Sequence, residues 1–585
     1  MKLPRALDAA SALSIGGALA LVGLAFPAGC AAPPAPVVAP APTETSEAPP
    51  PPAPMPEAPK AHRFAVAAEN ETAARVALST LEHGGNAVDA AIAGILTSGV
   101  VHPVSSGLGG GGFALVWDPK TRAVTMLDFR ETAPRALKPN DLDHRTGLSD
   151  KKRGSLFGVP GEVAGLAELH ARFGKLAFGD DVRPAAEVAS AGFPVSGHLA
   201  RTLKWNEPWV LRSPLASVFG AAGKLLPARE TAKNPALAET LRRVAAEGKK
   251  AFYEGVIADD VVETAKAGGS RITRRDLNDY QVVERSPLRT TWEGYEVVTA
   301  PPESGGGLMV METLSMHRKA DLVAQGYGSG GYLHLMAETF RGAIADRVRH
   351  VGDPGFRKLD AMALASEARM KARRAQISLT RTTRAEKFGL HESGTTHLVV
   401  VDEEGRVVSI TSTINDMFGS KLVARGGFVL NDELDDFSTA SLERQFGIIP
   451  GRGPNSARGG ARPASSMTPT LVLQGGAPVF ALGGSGGLRI ATATTQVLLA
   501  RLAFDRSVAD AVADPRIDPP PAGGLSVDPS LDPAQLEDLE RRGEIVDTTR
   551  VNLSAVQAIG IGTRDGVRFL EPAADPRKGG AALVE

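Results

Sequence analysis

From Thr72 to His83 apolar positions recur at helical spacing, through Ala73, Val76, Ala77, Leu78 and Leu81, and the pattern stops at Gly84 and Gly85. Asn86 then predicts the start of a second helix, Ala87 to Val100, which is apolar on nearly every side and so is expected to be buried. Four glycines, Gly109 to Gly112, precede two strand-like segments, Phe113 to Trp117 and Val124 to Phe129. Glycines at such a place let backbone approach backbone or ligand closely, and by themselves read as a tight strand entry. From about Leu137 to Gln376 the pattern is mainly helical, with breaks at Gly158 to Gly161, at Pro301 and Pro302, and at Gly305 to Gly307. Arg369 to Arg384 is rich in basic and poor in apolar residues, which predicts an exposed connector.

Beyond this connector the texture changes to strands. Thr396 to Val401 and Val407 to Ile414 flank Asp402, Glu403, Glu404 and Gly405, whose glycine closes a hairpin turn. Phe428 to Leu430, Pro469 to Leu473 and Val479 to Leu482 continue the sheet signal, and helical runs follow at Ala491 to Phe504 and Pro533 to Arg542. Strands on both sides of Gly394, with helices outside them and no internal repeat, predict one layered α+β unit built from both halves of the chain.

Composition changes this picture only at the N-terminus. The chain has 585 residues, 43% hydrophobic and 22% charged, and a net charge of -1 without a long basic stripe, which argues against a nucleic-acid partner. Lys2 and Arg5, an apolar stretch from Ala9 to Phe26, and Pro27, Ala28 and Gly29 predict an export signal over residues 1–29. Cys30 is the only cysteine, so no internal disulfide is possible. Its position after Ala28 and Gly29 resembles a bacterial lipoprotein signal, with the thiol lipidated; Pro27 departs from the aliphatic residue usual there. Residues 30–61 are rich in Pro and Ala and predict a semi-rigid tether from an envelope anchor, in the periplasm or at the cell surface.

The candidate chemistry lies where Gly394, Thr395, Thr396 and His397 meet the apolar run Leu398 to Val401. A threonine hydroxyl is a weak nucleophile, but scission of the peptide bond before it frees an amine on the same residue that can act as its base. Paired threonines at a strand start also follow from β-propensity alone. The eleven histidines are scattered, and no cluster has zinc-like spacing, so neither metal nor other cofactor is expected.

Several further stretches, in order along the chain, resemble the gamma-glutamyltranspeptidase family of the N-terminal nucleophile hydrolase superfamily. They are Gly84 to Ala91, Ser105 to Phe113, Asp128 to Glu131, Gly158 to Gly161, Gly394 to His397, Asn431 to Phe437, Arg462 to Pro469, and Gly486 with Gly487. The resemblance implies a four-layer αββα sandwich and self-cleavage between Gly394 and Thr395 into mature chains Cys30–Gly394 and Thr395–Glu585, whose catalytic parts, 62–394 and 395–585, stay associated as a heterodimer. It makes Thr395 the nucleophile, Thr413 the hydroxyl that orients it, and Gly486 and Gly487 the oxyanion donors. Arg130, with Ser465 and Ser466, would hold the α-carboxylate of a gamma-glutamyl substrate such as glutathione. Glu433 and Asp436, assisted by Asn415, would hold its α-ammonium, and the loop between Asp436 and Arg462 would cover the pocket. Water or an amino acid would accept the acyl group. A glutaryl-type acylase lacks a use for those two acids, and a non-catalytic binding lipoprotein lacks one for Thr395.

Overall fold

Two adjacent antiparallel strands, Gly394–Val401 and Val407–Asn415, form the middle of a seven-stranded sheet, and every residue of both is buried. The computed structural model describes residues 61–142, 150–383, 394–519, 524–549 and 554–585. The expected signal, Cys30, the tether up to residue 60 and the stretch just before Gly394 lie outside the described residues. Among the described residues no helix is long and apolar enough to cross a membrane.

The strands of the two large sheets are, in chain order, β1 Ala65–Ala68, β2 Gly111–Asp118, β3 Ala123–Asp128, β4 Val283–Arg285, β5 Leu288–Trp292, β6 Tyr295–Thr299, β7 Gly394–Val401, β8 Val407–Asn415, β9 Thr470–Gln474, β10 Ala477–Ser485, β11 Ala555–Arg564, β12 Val567–Ala574 and β13 Ala581–Val584. One sheet has the order β13-β1-β7-β8-β2-β3-β4 and the other β12-β11-β10-β9-β6-β5. The two pack face to face through Phe113, Leu115, Val399, Val401, Leu471 and Ala481. Helices α1 Glu71–Glu82 and α2 Ala87–Val101 cover the outer face of the first sheet. Helices α3 Gly305–Met316, α4 Gly330–His350 and α5 Arg489–Phe504 cover the outer face of the second. The result is the expected four-layer α+β sandwich, with strands from either side of Gly394 paired in both sheets.

This layering explains the uninterrupted apolar run of β7. Val399 and Val401 point between the sheets, while Leu398 and Val400 point into the helical layer, so both faces leave water. Each such side chain contributes about 1.5–3 kcal/mol by burial. Helix α2 is buried along its whole length, as its sequence predicts, and is capped by Asn86 and Asp89 in a reciprocal pair. The hairpin turn is tied by Arg406 N donating to Asp402 Oδ1 at 2.9 Å, with Gly405 at φ +88°.

Several expectations are corrected. The region from Leu137 to Gln376 is mainly helical, as expected, but also contains the short strands β4, β5 and β6, of which β4 and β5 turn polar residues outward. The basic stretch after Arg369 is not an exposed connector at its start. It forms a helix, Glu367–Arg374, whose Arg369 and Arg373 pair with Asp346 at 2.6 and 2.7 Å. Val429 and Leu430 join a separate two-stranded ribbon with Leu422 and Val423 rather than either large sheet. Strands β1 and β11 to β13 carried no sequence expectation.

The glycine run serves close approach. A Cβ on Gly110 would lie 2.0 Å from the Thr413 carbonyl oxygen, and one on Gly112 would lie 2.0 Å from that of Thr411. Backbone would have to move to relieve either contact. Replacing Gly110 with Ala is therefore expected to lower stability by about 1–3 kcal/mol, read as a shift of the urea midpoint; an unchanged midpoint would contradict the packing described.

Candidate functional site

Thr395 and Thr413 come together at an irregularity in the pairing of β7 with β8. Gly394 pairs with Asn415 and Thr396 with Ser412, so Thr413 and Ile414 together oppose the single residue Thr395. This β-bulge, rather than a regular cross-strand pair, brings the two hydroxyl oxygens to 3.2 Å. Each hydroxyl also donates to the Gly394 carbonyl oxygen, in both cases at 2.6 Å. The Asn415 backbone N–H donates to Thr413 Oγ1 at 2.9 Å, which occupies a lone pair there and leaves the hydroxyl proton for the carbonyl. Thr395 is only 4% exposed.

His397 stands on the same strand but belongs to the inter-sheet layer. Its Nδ1 pairs with Thr411 Oγ1 at 2.8 Å, its ring lies against Gly483, and burial pushes it down to about 3, so it is neutral. Gly486 and Gly487 directly follow β10 with φ of +122° and +67°, the left-handed region that favours glycine.

The second half of the site is electrostatic. Arg130 is 1% exposed; its guanidinium contacts the Glu433 carboxylate and donates to Asp436 Oδ2 at 2.5 Å. The same side chain donates to the carbonyls of Pro463 at 3.0 Å and Ala464 at 3.2 Å, which places it directly before Ser465 and Ser466 in that loop. Ser465 Oγ accepts from Met467 N at 3.1 Å, and the buried Ser466 Oγ has no hydrogen-bond partner among the described residues. Glu433 and Asp436 sit on a single 3-10 turn, and the Asn415 amide reaches the carbonyl of Asp432, just before it, at 3.3 Å. The expectation assigned guanidinium and acids to opposite charges of a substrate; in the structure they contact one another directly. Glu131, next in sequence, is pushed up to about 8 by burial despite the Arg130 charge, so it is protonated near neutral pH and adds no negative charge.

Sequence reasoning gave no role to the groups that hold Arg130. Its carbonyl accepts from Tyr280 Oη at 2.9 Å and Arg462 Nε at 3.2 Å, and its N–H donates to Asp128 Oδ1 at 2.9 Å. Burial alone would raise the Asp128 carboxyl, but Arg462 and Arg285 hold it below the ordinary carboxylate range. Asp128 and Arg462 lie inside stretches already singled out, whereas nothing near Tyr280 marks it. The loop between Asp436 and Arg462 is pinned by Asn455, which donates to the Asp436 carbonyl at 2.6 Å and accepts from Ala464 N at 2.9 Å.

Among the described residues two triads could hold a metal ion, Asp89 with His170 and Asp181, and His334 with Glu338 and Glu544. Both ring nitrogens of His334 are engaged, by Glu544 and the Ser378 carbonyl, and Arg341 already pairs with Glu338 and Glu544. In the first triad Asp89 accepts backbone N–H groups of Asn86, Lys175 and Leu176, and His170 Nε2 meets the Leu176 carbonyl at 2.8 Å. These contacts engage His334, Glu338, Glu544, Asp89 and His170 within the protein, while burial pushes the Asp181 carboxyl up to about 8.

A sequence model of the family described as Gamma-glutamyltranspeptidase matches residues 73–585. The glutathione hydrolase proenzyme of Pseudomonas aeruginosa is 37% identical over 535 residues, covering 89% of this chain and 94% of that protein. That of Escherichia coli is 34% identical over 533 residues, covering 88% and 91%. Among solved structures, gamma-glutamyltranspeptidase of Helicobacter pylori is 32% identical with a TM-score of 0.51, covering 54% of this chain and 92% of that one. A cephalosporin acylase from Bacillus halodurans shares the fold, with a TM-score of 0.78 at 23% identity, covering 91% and 98%.

The Arg462–Asp128 pair yields a pH-dependent expectation. A carboxyl whose pKa is depressed by folding adds stability above its unfolded pKa of about 4, and that stability is lost as pH falls through the lower folded value. Arg462→Met should therefore cost about 3 kcal/mol at pH 7, with the gap to the parent protein narrowing on acidification below about pH 4. Urea unfolding across pH measures this; a gap that stays constant would contradict the assigned charge pairing.

Proposed function

The chain belongs to the gamma-glutamyltranspeptidase family, and from that membership and the geometry at Gly394 we propose how its residues divide the work of a self-processing gamma-glutamyl hydrolase and transferase. The observation that carries the reading is the pair of hydroxyls on one carbonyl oxygen, each 2.6 Å from it.

Maturation begins at that carbonyl. The Thr413 hydroxyl polarises it, Thr395 Oγ1 attacks its carbon, the C–N bond to Thr395 breaks, and the proton of the hydroxyl passes to the departing nitrogen. Water then hydrolyses the Gly394 ester, leaving chains ending at Gly394 and beginning at Thr395. The freed amine is now the base for the same hydroxyl.

In turnover Thr395 Oγ1 attacks the gamma-carbonyl of the substrate, and the amine takes the proton and returns it to the leaving amine. The N–H groups of Gly486 and Gly487 hold the oxyanion, and a site that excludes water makes such donors effective. Arg130 accommodates the α-carboxylate with the hydroxyls of Ser465 and Ser466, of which Ser466 Oγ has an unused donor. Glu433 and Asp436 both lie against the Arg130 guanidinium, and in this reading they accept the α-ammonium beside the carboxylate that Arg130 takes. A glutaryl group brings no cation, and two carboxylates repel its own. Water or an amino-acid amine then cleaves the gamma-glutamyl ester. Glutathione and related amides are the proposed substrates, and the basic, apolar N-terminus with Cys30 supports export and a lipid anchor at the bacterial envelope.

Thr395→Ala should give one uncleaved band on a denaturing gel and no release from a gamma-glutamyl anilide; surviving turnover would remove Thr395 from its role. Asp436→Asn should raise KM for the gamma-glutamyl anilide by about tenfold or more while a glutaryl anilide remains a poor substrate. Preference for the glutaryl compound in the parent enzyme would transfer the reading to an acylase.

A further inference from the structure

Lys578 ends the 3-10 turn Pro576–Lys578 near the C-terminus and is 2% exposed. Its ammonium donates to Ser485 Oγ at 2.5 Å and to the Thr395 carbonyl oxygen at 3.4 Å, and it pairs with Glu69 Oε2 at 3.4 Å. These partners come from three separate elements. Thr395 lies on β7, Ser485 closes β10 immediately before Gly486 and Gly487, and Glu69 directly follows β1. One buried cation thus joins the Thr395 end of β7 to the end of β10 from which Gly486 and Gly487 continue.

Given Thr395 as the nucleophile, we propose that Lys578 is a positioning residue for acyl transfer, its ammonium fixing Thr395 relative to the loop of Gly486 and Gly487. A lysine is costly to bury unless its donors are used, and here two of the three partners, Thr395 and Ser485, adjoin the reacting groups. Misplacement of reacting groups by about 1 Å costs on the order of a hundredfold in rate, so a tie between the two halves of the site acts on kcat rather than on ground-state binding.

The charge has a second consequence. Scission frees the amine on the same residue whose carbonyl the ammonium touches, and a like charge within about 4–6 Å disfavours protonating that amine. Other titratable groups also surround Lys578. His102 and His198 are pushed down to about 3 and about 2 by burial and stay neutral. Asp575 is held by Arg516 and Arg577, and Glu69, the one acid against the ammonium, is itself pushed up by burial. Lys578 therefore keeps the base of the reaction unprotonated at lower pH than it would otherwise be.

The test compares kcat, KM and the pH profile of kcat/KM for the mature two-chain parent, Lys578→Met, Lys578→Arg and Ser485→Ala, with active sites counted by mass as the acyl-Thr395 ester. Lys578→Met should lower kcat by about tenfold or more at near-constant KM, and should move the acidic limb of kcat/KM upward by about one pH unit. Lys578→Arg should restore the position of that limb. Ser485→Ala keeps the charge, so it should lower kcat without moving the limb, and it carries the test if Lys578→Met fails to mature. A parent-like kcat per active site in Ser485→Ala, or an unmoved limb in a mature Lys578→Met, overturns the proposal. Absence of an acyl-Thr395 ester in the parent would instead strike at the nucleophile assignment itself.

Discussion

Everything at the site follows from where the Gly394 carbonyl oxygen is held. Two hydroxyls point at it, and they can do so only because β8 carries one residue more than β7 between their neighbouring pairs. A regular register would alternate side chains to opposite faces and separate them. Beside the bulge the backbone of Gly110 and Gly112 is pressed against β8, at distances no Cβ could share. A local count of residues, the absence of two side chains and a buried hairpin are thus one structural device.

The sandwich supplies the surroundings this device needs. Both faces of β7 are covered, by helices on one side and by the second sheet on the other, so the hydroxyls and their carbonyl sit in a medium where hydrogen bonds count for more than in water. The same dryness sets a demand on every charge nearby. Arg130 meets it with two carboxylates and two carbonyls, Asp128 with two arginines, and Glu131 by keeping its proton. The surroundings of Arg130 are a lattice of paired ions whose removal one at a time is costly.

Pairing across the Gly394 position also explains why a cut there need not separate two bodies. β1, from before the cut, lies between β13 and β7, both from after it, and the second sheet draws β5 and β6 from before the cut and β9 to β12 from after it. Burial on that scale holds the halves together without the covalent bond.

The hairpin of β7 and β8 was legible from local pattern, because a run of apolar residues, a glycine turn and a second run have no other compact solution. So were the buried helix after Asn86 and the glycine strand entry, and the resemblance picked out Thr395, Thr413, Arg130 and the acids of the 433–436 turn. What the chain could not disclose locally are facts of pairing between distant segments. The offset that joins Thr413 to Thr395 depends on how the whole strand registers. The contact of Arg130 with Glu433 and Asp436 spans some three hundred positions. The basic residues Arg369 and Arg373 read as solvated until Asp346 and Glu312 arrive from other helices. Strands β4 to β6 lie in a stretch whose pattern reads as mainly helical, because β4 and β5 turn polar residues outward. Lys578 looks like a surface lysine in a polar tail, and only the closing of the two sheets around it turns it inward. Periodicity reports which face of a segment is dry; which charges share that dryness is settled by tertiary contact alone.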